Sequence, residues 1–327
     1  MKFVAQLTIY CSMFILTMTG CSKSSSTSTG SSSNDTTLPK IVWHRSGLDS
    51  CTVNALLNGY SSGIFAGTDR GLYKTTDNGV QWIRAGIDSV NVTALVQYFP
   101  TGIIAAGTVG HGMYISTNGG KNWSQRGLTG VPITALHVLL DGTLFAGTLR
   151  NGLFRSSNSG TSWQEVDSTI FRFHPVYAFY GDGPILIGSD GIYASTNSGN
   201  HWSVSTAGLE AIPFHALNKL SGFTFAGSDH NGMYRADTNS TLFKIVNNNL
   251  NDTKIISLCL GGNAHLFAAT WDKGVFRSTD WHTWKAVNDG LTDINVRSLL
   301  VDNYGYLYAG TVGDGVFKSS LIDQRIP

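Results

Sequence analysis

A small-Gly-Thr triplet returns seven times along this chain, as Ala66-Gly67-Thr68, Ala106-Gly107-Thr108, Ala146-Gly147-Thr148, Ile187-Gly188-Ser189, Ala226-Gly227-Ser228, Ala268-Ala269-Thr270 and Ala309-Gly310-Thr311. Its middle residue recurs at spacings of 40, 40, 41, 39, 42 and 41 residues. So constant a period decides the architecture, because each repeat is one supersecondary unit that buries its faces only by stacking on neighbours. At about 40 residues the unit is one four-stranded blade. Seven copies predict an all-β, seven-bladed β-propeller over residues 41–320.

Every repeat holds the same pieces. An alternating apolar segment such as Val92-Thr93-Ala94-Leu95 leads to a second, Ile103–Thr108. A glycine loop follows, then a strand, Gly112–Ser116, a polar turn, and a last strand opening at Trp123. Period-two alternation of Val, Ile, Phe, Tyr and Thr marks half-buried strands. The 38 glycines against 7 prolines fit many strands joined by tight turns better than helices. The seventh repeat lacks its last strand at the C-terminus. Trp43-His44-Arg45-Ser46-Gly47-Leu48 has the Trp-to-Gly-Leu spacing of Trp123 to Leu128, so residues 41–48 are expected to supply that strand and close the ring. Closure leaves only short outer edges.

The polar turns carry a second signature. Thr75-Thr76-Asp77-Asn78-Gly79-Val80-Gln81-Trp82 follows the pattern Ser-x-Asp-x-Gly-x-x-Trp, with Thr in the first place, and Ser116–Trp123, Ser156–Trp163 and Ser195–Trp202 follow it with Asn for Asp. Either side chain accepts backbone hydrogen bonds within a turn, and Gly takes the positive φ. The fifth copy, Ala236–Phe243, is degenerate, and the sixth, Ser278–Trp284, is one residue short. On these residues the chain resembles, over 41–320, the Asp-box (bacterial neuraminidase repeat) propellers, which include sialidases, xyloglucan-degrading hydrolases and the photosystem II stability/assembly factor family. The resemblance implies blade type far more than activity, because fold and function separate freely.

The N-terminus reads as a separate device. Lys2 and the apolar stretch Phe3–Met18, interrupted by polar residues, suit a signal peptide (residues 1–20) rather than a membrane span. Met18-Thr19-Gly20-Cys21 resembles the bacterial lipoprotein box, although Met18 stands where Leu is usual. That resemblance implies lipid on Cys21, hence a protein tied to the periplasmic or outer side of a bacterial membrane. Residues 21–40, almost all Ser, Thr, Gly and Asn after Cys21, compose a flexible tether, and 321–327 a short tail. With Cys11 in the leader and Cys21 acylated, Cys51 and Cys259 fall in blades one and six, too far apart to bridge.

Charge narrows the partners. Removing Lys2 from the 22 basic residues leaves as many basic as acidic residues, 21, so nothing draws nucleic acid to this surface, and a monomer is expected. No cofactor motif occurs, and histidines scattered over several blades lack the short spacing of a metal site. The loops between second and third strands vary while the scaffold repeats, and variable loops on a rigid frame are where binding concentrates. They place Arg70, His111, Arg150, Asp190, His230, Trp271, Lys273 and Asp314 on one face. The second residue of the innermost strands adds Tyr177, His215 and Arg297 at the channel mouth. Polar groups mixed with aromatic ones suit a glycan, a peptide or an envelope protein partner. The competing expectation is a glycoside hydrolase, for which Asp190, Asp314, Glu165 and Glu210 are the available carboxyls.

Overall fold

The computed structural model describes residues 39–322 except 100, 206–208, 210, 238, 239 and 241. From Ile41 onward the described residues form one unit of seven four-stranded antiparallel sheets, six running in simple chain order. In the seventh, Trp43–Gly47 lies against Val316–Ser319, with Trp43 opposite Ser319 and Gly47 opposite Val316. The ring is therefore closed by the start of the folded chain.

The triplet earns its recurrence from packing between blades. Its Gly sits where the next blade's innermost strand begins. A Cβ on Gly107 would stand 2.5 Å from Ile133 Cγ2, one on Gly227 2.4 Å from Ile255 Cγ2, and one on Gly310 2.6 Å from Val53 Cγ1, across the closure. Here glycine serves close approach rather than a turn. The residues that press on it are fully buried: Val53, Val92, Ile133, Val176, Phe214, Ile255 and Val296 are at most 1% exposed. Blade six carries Ala269 instead, packed in one core with Val296. The Thr or Ser that follows is buried too, and its hydroxyl donates to the carbonyl of the glycine closing the adjacent loop. Thr108 to Gly112 and Thr148 to Gly152, both 2.7 Å, are examples. Blade four is the exception, for its loop is the single residue Asp190 and the Ser189 hydroxyl is left without a partner.

The outer rim is tied by tryptophan. Trp82 donates its indole N–H to Ser46 O at 3.0 Å, Trp163 to Arg126 O at 2.8 Å, Trp284 to Val246 O at 3.1 Å and Trp43 to Val287 O at 2.6 Å. Each bond runs to the outer strand of the preceding blade, so a large buried ring also fixes register between sheets. Trp202 departs from this scheme. The connection from blade three to blade four contains a helical turn, Ser168–Phe171. Phe171 meets the indole edge-on with centroids 5.7 Å apart, and Trp202 bonds its own turn at Gly199 O instead. Cys51 and Cys259 are buried thiols.

The polar turns share one geometry. In the first, Thr75 Oγ accepts from Gly79 N and donates to Asp77 Oδ1, which accepts from Val80 N and Gln81 N. Asn118, Asn158 and Asn197 accept in the same way from Asn122, Ser162 and His201.

Candidate ligand-binding face

Two faces follow from the strand directions. One gathers the turns between first and second strands and between third and fourth; the other gathers the second-to-third loops and the blade connections. On the second face the first loop residue donates its N–H to the residue just before the innermost strand, as in Asp69 to Thr52 O, Asp229 to Pro213 O and Trp271 to Lys254 O. Loop and connection are thus held side by side in each blade.

A bulge then aims one side chain in each of six blades. In blade one the register passes from Val53 opposite Thr68 to Ala55 opposite Gly67, skipping Asn54. The same skip occurs at Thr93, Thr134, His215, Ile256 and Arg297. A bulge leaves its extra residue out of the ladder and re-aims it. In blades one to three that residue is spent on the scaffold. Asn54 donates to Val92 O at 3.0 Å, Thr93 to Ile133 O at 2.6 Å and Thr134 to Val176 O at 2.5 Å, each bond crossing to the next blade. In blades four, five and seven the place is taken by Tyr177, His215 and Arg297, whose contacts lie with one another's surroundings.

These contacts form a continuous chain around most of the mouth. The Tyr177 and His215 rings stand 4.2 Å apart. His215 Nε2 lies 2.9 Å from Asp229 Oδ1, and Lys254 Nζ pairs with the same oxygen. Exposed His230 reaches Asp229 Oδ2 at 2.9 Å. Lys254 and Arg297 then hold their cationic ends 5.6 and 4.9 Å from the Trp271 ring, which is 40% exposed. Arg297 Nη1 donates to Asn54 Oδ1 at 3.3 Å, and Asn54 joins Asn91 at 2.9 Å. Six consecutive blades thereby share one polar network.

Its electrostatics are uneven. Burial, reinforced by the Lys254 charge and opposed by Asp229, pulls the His215 imidazole down to about 4. At neutral pH it is therefore uncharged, and its contact with Asp229 is an N–H donated to a carboxylate rather than an ion pair. Burial pushes the Asp229 carboxyl up, but the hydrogen bond and charge of Lys254 outweigh that and leave it below its ordinary value. Burial, with Asp190 and Asp229 nearby, raises the Tyr177 phenol. Asp229 thus answers Lys254. Arg297 has no such answer: burial lowers its pKa, its Nε is buried without a hydrogen-bond partner, and no carboxylate pairs with it among the described residues.

Of the residues singled out from sequence, Tyr177, His215, His230, Trp271 and Arg297 are brought into this network. Others are on the face but engaged elsewhere. Lys273 Nζ clips Thr253 Oγ at 2.9 Å beside the Asn251 and Asp252 carbonyls, within its own blade. Asp314 pairs with Arg45 at 3.0 Å and accepts from Thr292 at 2.5 Å, towards the outer strand of blade seven. Asp190 lies 3.4 Å from His174 Nδ1. Arg70, His111 and Arg150 are exposed on their loops. Glu165 is on the outer strand of blade three, and Glu210 and Cys21 fall outside the described residues. Lys254 was not among the loop residues and second residues of innermost strands expected on this face. The signal was present, since the residue before the innermost strand is Thr52, Asn91, Pro132, Pro175, Pro213 and Asn295 in the other blades, and only blade six has a charge there.

Comparison with known proteins fixes the fold and stops there. No protein-family model and no curated protein matches the sequence. Among solved structures, the extracellular domain of a one component system of B. thetaiotaomicron aligns with TM-score 0.70 at 16% identity, over 85% of this chain and 39% of that one. The Niastella koreensis GH74 enzyme aligns with TM-score 0.66 at 17% identity, over 87% of this chain and 54% of that one. YCF48 from Cyanidioschyzon merolae aligns with TM-score 0.67 at 13% identity, over 85% of this chain and 98% of that one. The chain spans about two fifths of the first protein's length and about half of the second's. The chain is similar to all three as a propeller.

Proposed function

We propose that this protein is a non-catalytic binding propeller of the bacterial cell envelope, held on a membrane by lipid on Cys21, which takes an acidic glycan at the loop-face mouth. Arg297 carries the reading. A half-buried guanidinium that has lost water, keeps an orphaned Nε and meets no carboxylate is compensated when a ligand brings the anion. Trp271 beside it, Asp229 and the neutral His215 offer the apolar surface and hydrogen-bonding groups that orient a sugar. An acidic peptide of an envelope partner would use the same anion site. The extracellular domain among the similar structures supports a position outside the cytoplasm, and the turn geometry supports reading the chain as an Asp-box propeller.

The GH74 likeness favours a second reading, a glycoside hydrolase. That chemistry needs one carboxyl kept protonated as an acid. Asp229, the carboxyl at the centre of the network, is instead held ionised by its cation, which favours binding. Calorimetry with oligogalacturonate and its methyl-ester, together with a reducing-end assay on the same sugars, separates the readings. Binding of the acid form alone, without new reducing ends, is expected. Cleavage abolished by Asp190→Asn would replace the binding reading with the hydrolytic one.

A further inference from the structure

The turn face has a character of its own. Four large apolar side chains stand out in the first-to-second strand turns of four successive blades: Tyr304 in blade seven at 61% exposure, Tyr60 in blade one at 40%, Phe99 in blade two at 46% and Leu140 in blade three at 64%. Contacts join these turns into one arc. Asn58 donates to Asn303 Oδ1 at 3.1 Å between blades one and seven. The Tyr60 and Phe99 rings are 5.3 Å apart. Tyr98 donates its hydroxyl to Leu140 O at 2.9 Å. Around the remaining half of the ring the corresponding turns read Gly181-Asp182-Gly183-Pro184, Ser221-Gly222 and Gly261-Gly262-Asn263-Ala264, and none carries a large apolar side chain.

The strand that closes the ring starts on this same face, beside the arc. Trp43 pairs with Ser319 at the turn end of blade seven, Ser320 N donates to Val42 O at 2.6 Å, and Ile322 N donates to Gly305 O, next to Tyr304. Seventeen residues separate Cys21 from Pro39. Even fully extended they reach at most ~60 Å. A lipid on Cys21 would therefore connect to the body on the face that carries the arc, leaving the arc itself to set the orientation.

We infer that this arc is a membrane-docking surface: Tyr304, Tyr60, Phe99 and Leu140 seat the turn face in the interfacial layer of the bilayer and point the Arg297 network away from it. The inference rests on the lipid anchor proposed above. The occupant follows from chemistry as well as position. Tyrosine combines an apolar body with a hydroxyl suited to the headgroup region, where Tyr and Trp concentrate in membrane proteins, and Phe99 and Leu140 add apolar surface to insert. The four turns contain no Lys or Arg, so the arc itself makes its contact by apolar insertion. Docking on zwitterionic lipid is therefore as strong as on anionic lipid and insensitive to salt.

The test uses the full-length acylated protein in phosphatidylcholine vesicles. An environment-sensitive fluorophore is placed at Ser61→Cys on the turn face or at Asn151→Cys on the loop face, and quenching by spin-labelled lipid is measured. Expected is at least threefold stronger quenching at 61 than at 151, unchanged in 0.5 M salt or with phosphatidylglycerol added. The quadruple variant Tyr60→Ser, Phe99→Ser, Leu140→Ser, Tyr304→Ser should lose that difference while staying folded and vesicle-bound. Equal quenching at the two labels, a difference that survives the quadruple change, or one that appears only with anionic lipid overturns the docking surface and leaves the anchor standing. Mass spectrometry of the N-terminal peptide reports the anchor separately; a peptide without lipid removes both.

Discussion

Blades one to three and blades four to seven use the same position of the innermost strand for opposite ends. In the first group Asn54, Thr93 and Thr134 turn their polar atoms onto the next blade's backbone and close the seam between sheets. In the second, Tyr177, His215 and Arg297 leave that bond unmade and, with Asp229, Lys254 and Trp271, build a network at the mouth. The turns divide nearly in the same place, with the regular Asp or Asn loops in blades one to four and the degenerate ones in blades five and six, although blade four keeps its turn and still gives Tyr177 to the network. Asn54 serves both ends, for it bonds Val92 O and accepts from Arg297. Fold and site compete for the same positions.

The largest expected effect lies in the regular half. Gly107→Val drives two methyl groups into Ile133 and should cost about 3 kcal/mol or prevent folding, because a close-packed seam cannot yield. A midpoint in urea close to that of the unaltered protein would show the seam to be loose. The tolerated Ala269 of blade six predicts that Ala269→Gly costs less than about 1 kcal/mol.

Acid sharpens the comparison next, because each half holds a histidine whose imidazole burial pulls well below its ordinary value. His137 of blade three, stacked on Phe179 and donating to Gly181 O, is driven by burial to about 4, as is His215. An unfolded imidazole binds its proton near 6.5, so between these values the unfolded chain holds more protons. Stability is then complete above pH 6.5 and falls as pH drops towards 4, by roughly 3 kcal/mol per histidine at most. His137→Gln should flatten this slope by about half in a melting series from pH 7 to 4.5. An undiminished slope would mean that other groups carry it.

A smaller effect separates stapling from solvation. Thr134→Val removes one inter-blade bond and should cost about 1 kcal/mol. Ser189→Ala removes a hydroxyl that has no partner and should cost nothing or stabilise slightly, by up to about 0.5 kcal/mol. Equal losses at the two sites would show that these hydroxyls matter through packing alone.

The sequence made the ring legible because its period is imposed by packing. Gly107 must be small for Ile133, and the same demand recurs at Gly67, Gly147, Gly227 and Gly310, so the requirement is written once per blade. Closure was legible because Trp43 must meet the same rim as Trp82 and Trp163. The site was only half legible, for a reason of the same kind. The strand pattern shows which residue comes second in each innermost strand, and so Tyr177, His215 and Arg297 stood out. It does not show which neighbours answer them: Lys254 is marked only as the one charge before an innermost strand, and its pairing with Asp229 comes from a crossing between blades five and six. Lys273 and Asp314 looked equivalent to Trp271 by position. Thr253 beside one and Arg45 with Thr292 beside the other engage them within their own surroundings.

The division of labour is tested most directly by measuring melting temperature and oligogalacturonate affinity together for Thr134→Val and Arg297→Met. Thr134→Val should lower the midpoint by about 2 °C and leave affinity unchanged. Arg297→Met, which relieves a desolvated charge, should leave the midpoint unchanged or raise it and weaken binding tenfold or more. An Arg297→Met protein that melts earlier and binds as before would make Arg297 part of the scaffold and contradict the account.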